Sequence, residues 1–135
     1  MANDAAKSAL ILLYDGQDYW WQRRALDDGS YPACLDFAAG GSMESGENPR
    51  EAAVRELEEE LGISGLALEV LGYRQLDGEY CALFRGALPA CWRLGREVAE
   101  LLPMSLEALR ALPPAQLHPQ LADWLGRRGP LGHNC

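Results

Sequence analysis

Short apolar runs alternate with turn-forming clusters along this chain, and they predict a sheet interrupted by one long helix. "ALILLY" (Ala9 to Tyr14) is continuous and apolar, with the length of a buried strand. "DGQD" supplies a turn, and "YWWQRRAL" (Tyr19 to Leu26) returns as a second strand, which predicts a hairpin. "LDFAAGG" (Leu35 to Gly41) begins as a strand and ends on two glycines, where the backbone must turn sharply or approach something closely. "LALEVLGYRQL" and "EYCALFRGAL" bracket Asp77-Gly78, the strongest hairpin signal in the sequence. Ser105 to Leu112 predicts a helix closed by Pro113-Pro114, and a short one runs from about Pro119 to Leu125 before Gly126. The last nine residues are expected to fray. Without repeats, linkers or a composition change, residues 1–135 read as one domain with its core over about 8–125. Strands and one long helix interleave irregularly, so the expected class is α+β, layered as an α/β/α sandwich.

The long helix lies in "GSMESGENPREAAVRELEEELGI", which packs seven glutamates into residues Gly41 to Ile63. Asn48 is an N-cap, Pro49 suits the first helical position, and Glu51 faces the positive end of the helix dipole. Gly62 suits a left-handed stop. At about 100° per residue, Val54, Leu57 and Leu61 share one face, which is expected to seat the helix on the sheet. Glu56, Glu59 and Glu60 share another, where like charges repel unless a hard cation relieves them. Read alone, the segment fits either a solvated glutamate-rich helix or a cation site.

Charge and cysteine content narrow the classes. The net charge is −8 and no basic stripe occurs, which argues against non-specific nucleic-acid binding. An acidic protein can still act on phosphates when a divalent metal supplies positive charge. Cys34, Cys81, Cys91 and Cys135 show neither a Cys-x-x-Cys pair nor zinc spacing, and "MANDAAKS" has no apolar signal core. These features predict reduced thiols in a cytoplasmic protein, with no stretch of membrane-spanning length.

The acidic segment resembles the Nudix box, Gly-x5-Glu-x7-Arg-Glu-U-x-Glu-Glu-x-Gly-U, where U is bulky and aliphatic. Gly41, Glu47, Arg55, Glu56, Leu57, Glu59, Glu60, Gly62 and Ile63 fill every specified position. The resemblance implies a Nudix fold with a mixed sheet and hydrolysis of a diphosphate linkage in a nucleoside diphosphate joined to another group, with Mg²⁺ (or Mn²⁺) as cofactor. By the same resemblance, Glu59, Glu60 and the Gly40 carbonyl hold metal, and Glu56 is a ligand or the general base. Arg55 holds the glutamates in place, and Glu47 supports the loop or helps to position a metal. Family members often take another ligand or the base from the region of "LGREVAELL", which marks Glu97 and Glu100; otherwise that stretch is an acidic loop.

Outside the box, Arg23 and Arg24 are expected on opposite faces of a strand, one reaching a substrate phosphate and the other solvated. Trp20 and Trp21 alternate likewise, one in the core and one free to stack on a ring. Tyr80 occupies the offset of a substrate marker in Nudix members acting on dinucleoside polyphosphates, or is strand packing. His118 and His133 stand without metal-binding company. "QRRALDDGSYPACLDFAAGG" is also similar to the isopentenyl-diphosphate isomerase branch. Gly40 and Ser42 stand where that enzyme has its cysteine and histidine, and Cys34 comes six residues early. The expected partner is a small diphosphate, without nucleic acid or membrane, and a homodimer stays open. A nucleotide-sensing Nudix module without catalysis is the alternative to an enzyme.

Overall fold

The computed structural model describes residues 6–126; the tail expected to fray, with His133 and Cys135, lies outside the described residues. Strand β1 (Ser8–Tyr14) is the centre of a seven-stranded sheet. One edge of β1 pairs in parallel with β6 (Glu79–Ala87), which pairs antiparallel with β5 (Glu69–Leu76). The other edge is split between β4 (Ala39–Ser42) and the start of β2 (Tyr19–Arg24). Strand β2 continues between the short β3 (Leu35–Asp36) and β7 (Val98–Met104). The sheet is therefore mixed, as the resemblance implies.

Alternation along β1 feeds two cores. Ala9, Ile11 and Leu13 face α1 (Pro49–Leu61), packing with Ala53, Leu57, Leu61 and Phe84. Leu10 and Leu12 face the other side, with Trp21, Phe37, Leu109 and Leu121. That second layer is built by α2 (Leu106–Arg110) and α3 (Pro119–Trp124). A strand buried on both faces needs apolar residues at every position, which is why β1 reads as a continuous run. The hairpin turn has positive φ at Asp77 (51°) and Gly78 (82°), the geometry that matches strand twist.

Three expectations need correction. Val54 is 43% exposed, and the helix seats itself through Ala52, Ala53, Leu57 and Leu61 instead. The "LDFAAGG" run is two strands, because β3 pairs with β2 whereas β4 crosses to β1. The stretch after the second hairpin contains β7 rather than a loop. Its alternation is disguised by a register shift opposite Arg23/Arg24 and by Pro103, which an edge strand tolerates.

Candidate active site

Local chemistry fixes the ends of α1. The Asn48 side chain accepts from the Glu51 N–H at 2.8 Å, and the Glu51 carboxylate accepts from the Asn48 N–H at 2.9 Å. Gly62 closes the helix at φ 63°, donating to the Glu58 carbonyl. The 91–97 loop then crosses the helix terminus, where the Arg93 and Gly95 N–H groups donate to the Leu61 and Glu60 carbonyls at 2.8 Å each. A side chain at Gly95 would strike the Glu59 carbonyl, so loop and helix are in backbone contact. These bonds set the rotation of the helix and therefore the direction of its carboxylates.

Glu56 and Glu60 turn toward the sheet, and Glu56 is only 8% exposed. The Glu60 Oε1 accepts from the Gln22 amide at 3.0 Å and from the Gly40 N–H at 3.2 Å. The backbone of Gly41 runs against the Glu56 carboxylate, which any Cβ at that position would strike. The double glycine is therefore the floor on which the carboxylates rest. Burial pushes both acids up, and the neighbouring Glu56 adds to the effect on Glu60, which reaches about 9.

Arg55 binds the outer side of the cluster. It makes a bidentate pair with Glu47 at 2.6 and 3.0 Å and reaches Glu56 and Glu59 at 3.2 Å each. It also donates to the Ser42 carbonyl at 3.1 Å. Its hydrogen bonds to Glu47, ahead of the surrounding negative charge, raise its own pKa.

The other candidate residues are dispersed. Gln22 faces Glu60, so Arg23, the next residue on β2, points to the opposite face, where it pairs with Glu100 at 2.6 Å and donates to the Ala33 carbonyl. Glu100 is thus not brought to the box carboxylates. Glu97 lies before β7, bordering a cavity of about 350 Å³ with Asp27, Asp28 and Arg96. Arg24 is not a solvated arginine: it binds Asp28, Asp36 and Ser30 and ties the 25–34 loop to the sheet. Tyr80 is half-buried and stacks on Tyr73 with ring centroids 5.9 Å apart. Trp21 is the buried tryptophan of its pair, and Trp20 packs edge-on against Trp92 rather than standing free. His118 caps α3 through Nδ1. The Cys34 thiol is buried, raised by that burial, and donates to the Ala115 carbonyl.

One site residue was missed from sequence: Gln22. A lone amide between Trp21 and Arg23 carries no spacing signal, and its burial comes from the elements packed around it.

Among the described residues, no three acidic, histidine or cysteine side chains converge as a ligand cluster. The donors nonetheless fit a hard divalent cation. The carboxyls of buried Glu56 and half-buried Glu60 have raised proton affinities, carboxylate oxygens are hard ligands, and Glu59 lies on the same helix face, bound to Arg55.

The sequence matches the NUDIX domain over residues 4–130. It is 37% identical over 117 residues to an uncharacterized Nudix hydrolase of Pseudomonas aeruginosa, covering 79% of this chain and 69% of that protein. A Yersinia pestis relative described in the same words is 34% identical over 125 residues, covering 76% and 68%. The chain belongs to the Nudix family, as a hydrolase acting on phosphorus-containing anhydrides. Among solved structures, DR0079 from Deinococcus radiodurans superposes with a TM-score of 0.81 at 23% identity, covering 90% of this chain and 81% of that one. An Ap4A hydrolase from C. elegans gives 0.59 at 19% identity, covering 89% and 93%. These two likenesses show the shared fold. No helix among the described residues is long and apolar enough to cross a membrane.

Proposed function

We propose that the chain is a divalent-metal-dependent pyrophosphohydrolase that cleaves the diphosphate linkage of a nucleoside diphosphate joined to a second group. The observation that carries this reading is the Glu56–Glu60 pair resting on Gly40-Gly41, with Arg55 anchoring the outer carboxylates. Glu56, Glu59, Glu60 and the Gly40 carbonyl would hold Mg²⁺ or Mn²⁺, which neutralises phosphate oxygens and makes bound water more acidic. If Glu56 is not itself a ligand, its position against Gly41 and Arg55 suits it to accept the proton of the attacking water. Arg55 and Glu47 hold the loop and helix together through their bidentate pair. Arg23, Arg24 and Tyr80 would each have to exchange a present partner for a phosphate or a base, so the reading does not depend on them.

A panel of nucleoside diphosphate derivatives that includes Ap4A, with Mg²⁺, Mn²⁺ or EDTA, tests the proposal through release of phosphate, pyrophosphate or a nucleotide. Turnover of at least one compound that stops in EDTA is expected. A nucleotide that raises the melting temperature without being cleaved would instead make the chain a sensing module. Undiminished turnover in EDTA would overturn the metal-dependent mechanism.

A further inference from the structure

Gln22 is one of three polar side chains, with Ser8 and Glu56, that are buried among the described residues. A buried amide is costly unless its hydrogen bonds are made. Here the same Nε2 donates twice, to the Ala38 carbonyl at 2.9 Å and to the Glu60 Oε1 at 3.0 Å. Both partners are acceptors, so an amide turned the other way would set its own oxygen against them; the orientation is determined by the site. The Ala38 carbonyl belongs to the connection that enters β4 and its glycines, and the Gly40 N–H meets the same Glu60 oxygen. One amide therefore joins β2, the glycine floor and the helix carboxylate.

We infer that Gln22 is a positioning residue, whose amide fixes the rotamer of Glu60 against Gly40 so that the carboxylate is pre-set for a divalent cation. This rests on the metal-dependent reading above. A neutral donor suits the task. An arginine in this place would hold the carboxylate equally well but would repel the cation, whereas an amide orients the group and leaves its charge available. Arg55 approaches from the solvent side and binds Glu47, Glu56 and Glu59, so it does not duplicate the bond to Glu60. Partners that orient metal-binding carboxylates typically affect metal affinity or activity by about 10–100-fold.

Gln22→Met keeps the side-chain length and removes both donated bonds. Mn²⁺ binding to the nucleotide-free protein, followed by the electron-spin signal of free Mn²⁺, is expected to weaken about tenfold or more. With the best substrate from the panel, kcat at a fixed Mn²⁺ concentration below saturation should fall by a similar factor, with KM within about twofold. A folded variant that binds Mn²⁺ and turns over like wild type would overturn the inference, as would a change confined to KM. Should the variant not fold, the wild-type side-chain amide decides. Its NMR signals should shift on Mg²⁺ addition with the midpoint of Mg²⁺ binding, and no shift would overturn the role. Wild type that binds metal and hydrolyses substrate beside an unaffected Gln22→Met refutes this inference alone. Wild type that binds no Mn²⁺ overturns it together with the function it rests on.

Discussion

Glu60→Gln should stabilise the metal-free protein at alkaline pH while abolishing its response to metal. Folded Glu60 keeps its proton to about pH 9, whereas in the unfolded chain it loses that proton near the ordinary value of 4.5. Between those values the native state binds more protons than the unfolded state, so stability falls as pH rises. An isolated group would contribute about 1.4 kcal/mol per pH unit across the window. Glu56 shares the proton and the site relaxes, so a total on the order of 2 kcal/mol between about pH 6 and 9 is the working magnitude. Glutamine removes the ionisation, keeps an oxygen for Gln22 and Gly40, and offers its amide to Glu56.

Thermal melts in EDTA across pH provide the assay. Wild type and Glu60→Gln should coincide near pH 5 and diverge as pH rises, with the mutant higher, by several degrees near pH 9. Added Mg²⁺ should raise the wild-type melting temperature most at high pH and leave Glu60→Gln nearly unmoved, since the ion binds only the native site. Parallel pH profiles for wild type and Glu60→Gln in EDTA would refute the buried-proton argument. Equal Mg²⁺ shifts would refute the metal role of Glu60.

Further substitutions separate support from chemistry. Gly41→Ala should cost about 1–3 kcal/mol and most activity, because its Cβ meets the Glu56 carboxylate; Gly29→Ala, which meets nothing, should be nearly silent in the same melts and rate assays. Arg55→Lys retains the charge but loses the bidentate grip on Glu47, so activity should drop at least tenfold while the fold persists by circular dichroism. Arg24→Leu leaves the Asp36 carboxylate without its cationic partner and should destabilise by about 2–4 kcal/mol in urea unfolding at neutral pH. Asn48→Ala breaks the capping box and should cost about 1 kcal/mol in the same measurement.

What could be read from the sequence was what local chemistry controls. The limits of α1 follow from Asn48, Pro49 and Gly62, each acting within a few residues of itself. The β5–β6 turn follows from Asp77-Gly78, since few other pairs accept positive φ twice in succession. The buried central strand shows as an uninterrupted apolar run because both of its faces are covered. The glutamate spacing is likewise fixed by the helical repeat, so the presence of a carboxylate cluster is a property of the sequence.

The direction of that cluster is not. Tertiary packing rotated α1 so that Val54 faces solvent while Ala52, Ala53, Leu57 and Leu61 face the sheet. The same rotation separated three apparently equivalent glutamates. Glu56 became buried and Glu60 half-buried, both with raised proton affinity, while Glu59 stayed exposed on Arg55. Long-range pairing also decided the fate of the outlying candidates: the antiparallel register of β2 and β7 set Glu100 opposite Arg23 and away from the helix. Gln22 acquired its place only when β2 came alongside β3 and beneath α1, bringing together atoms 38 residues apart in the chain. Spacing within an element is written in its own residues, but desolvation and charge pairing depend on what the rest of the chain places around them.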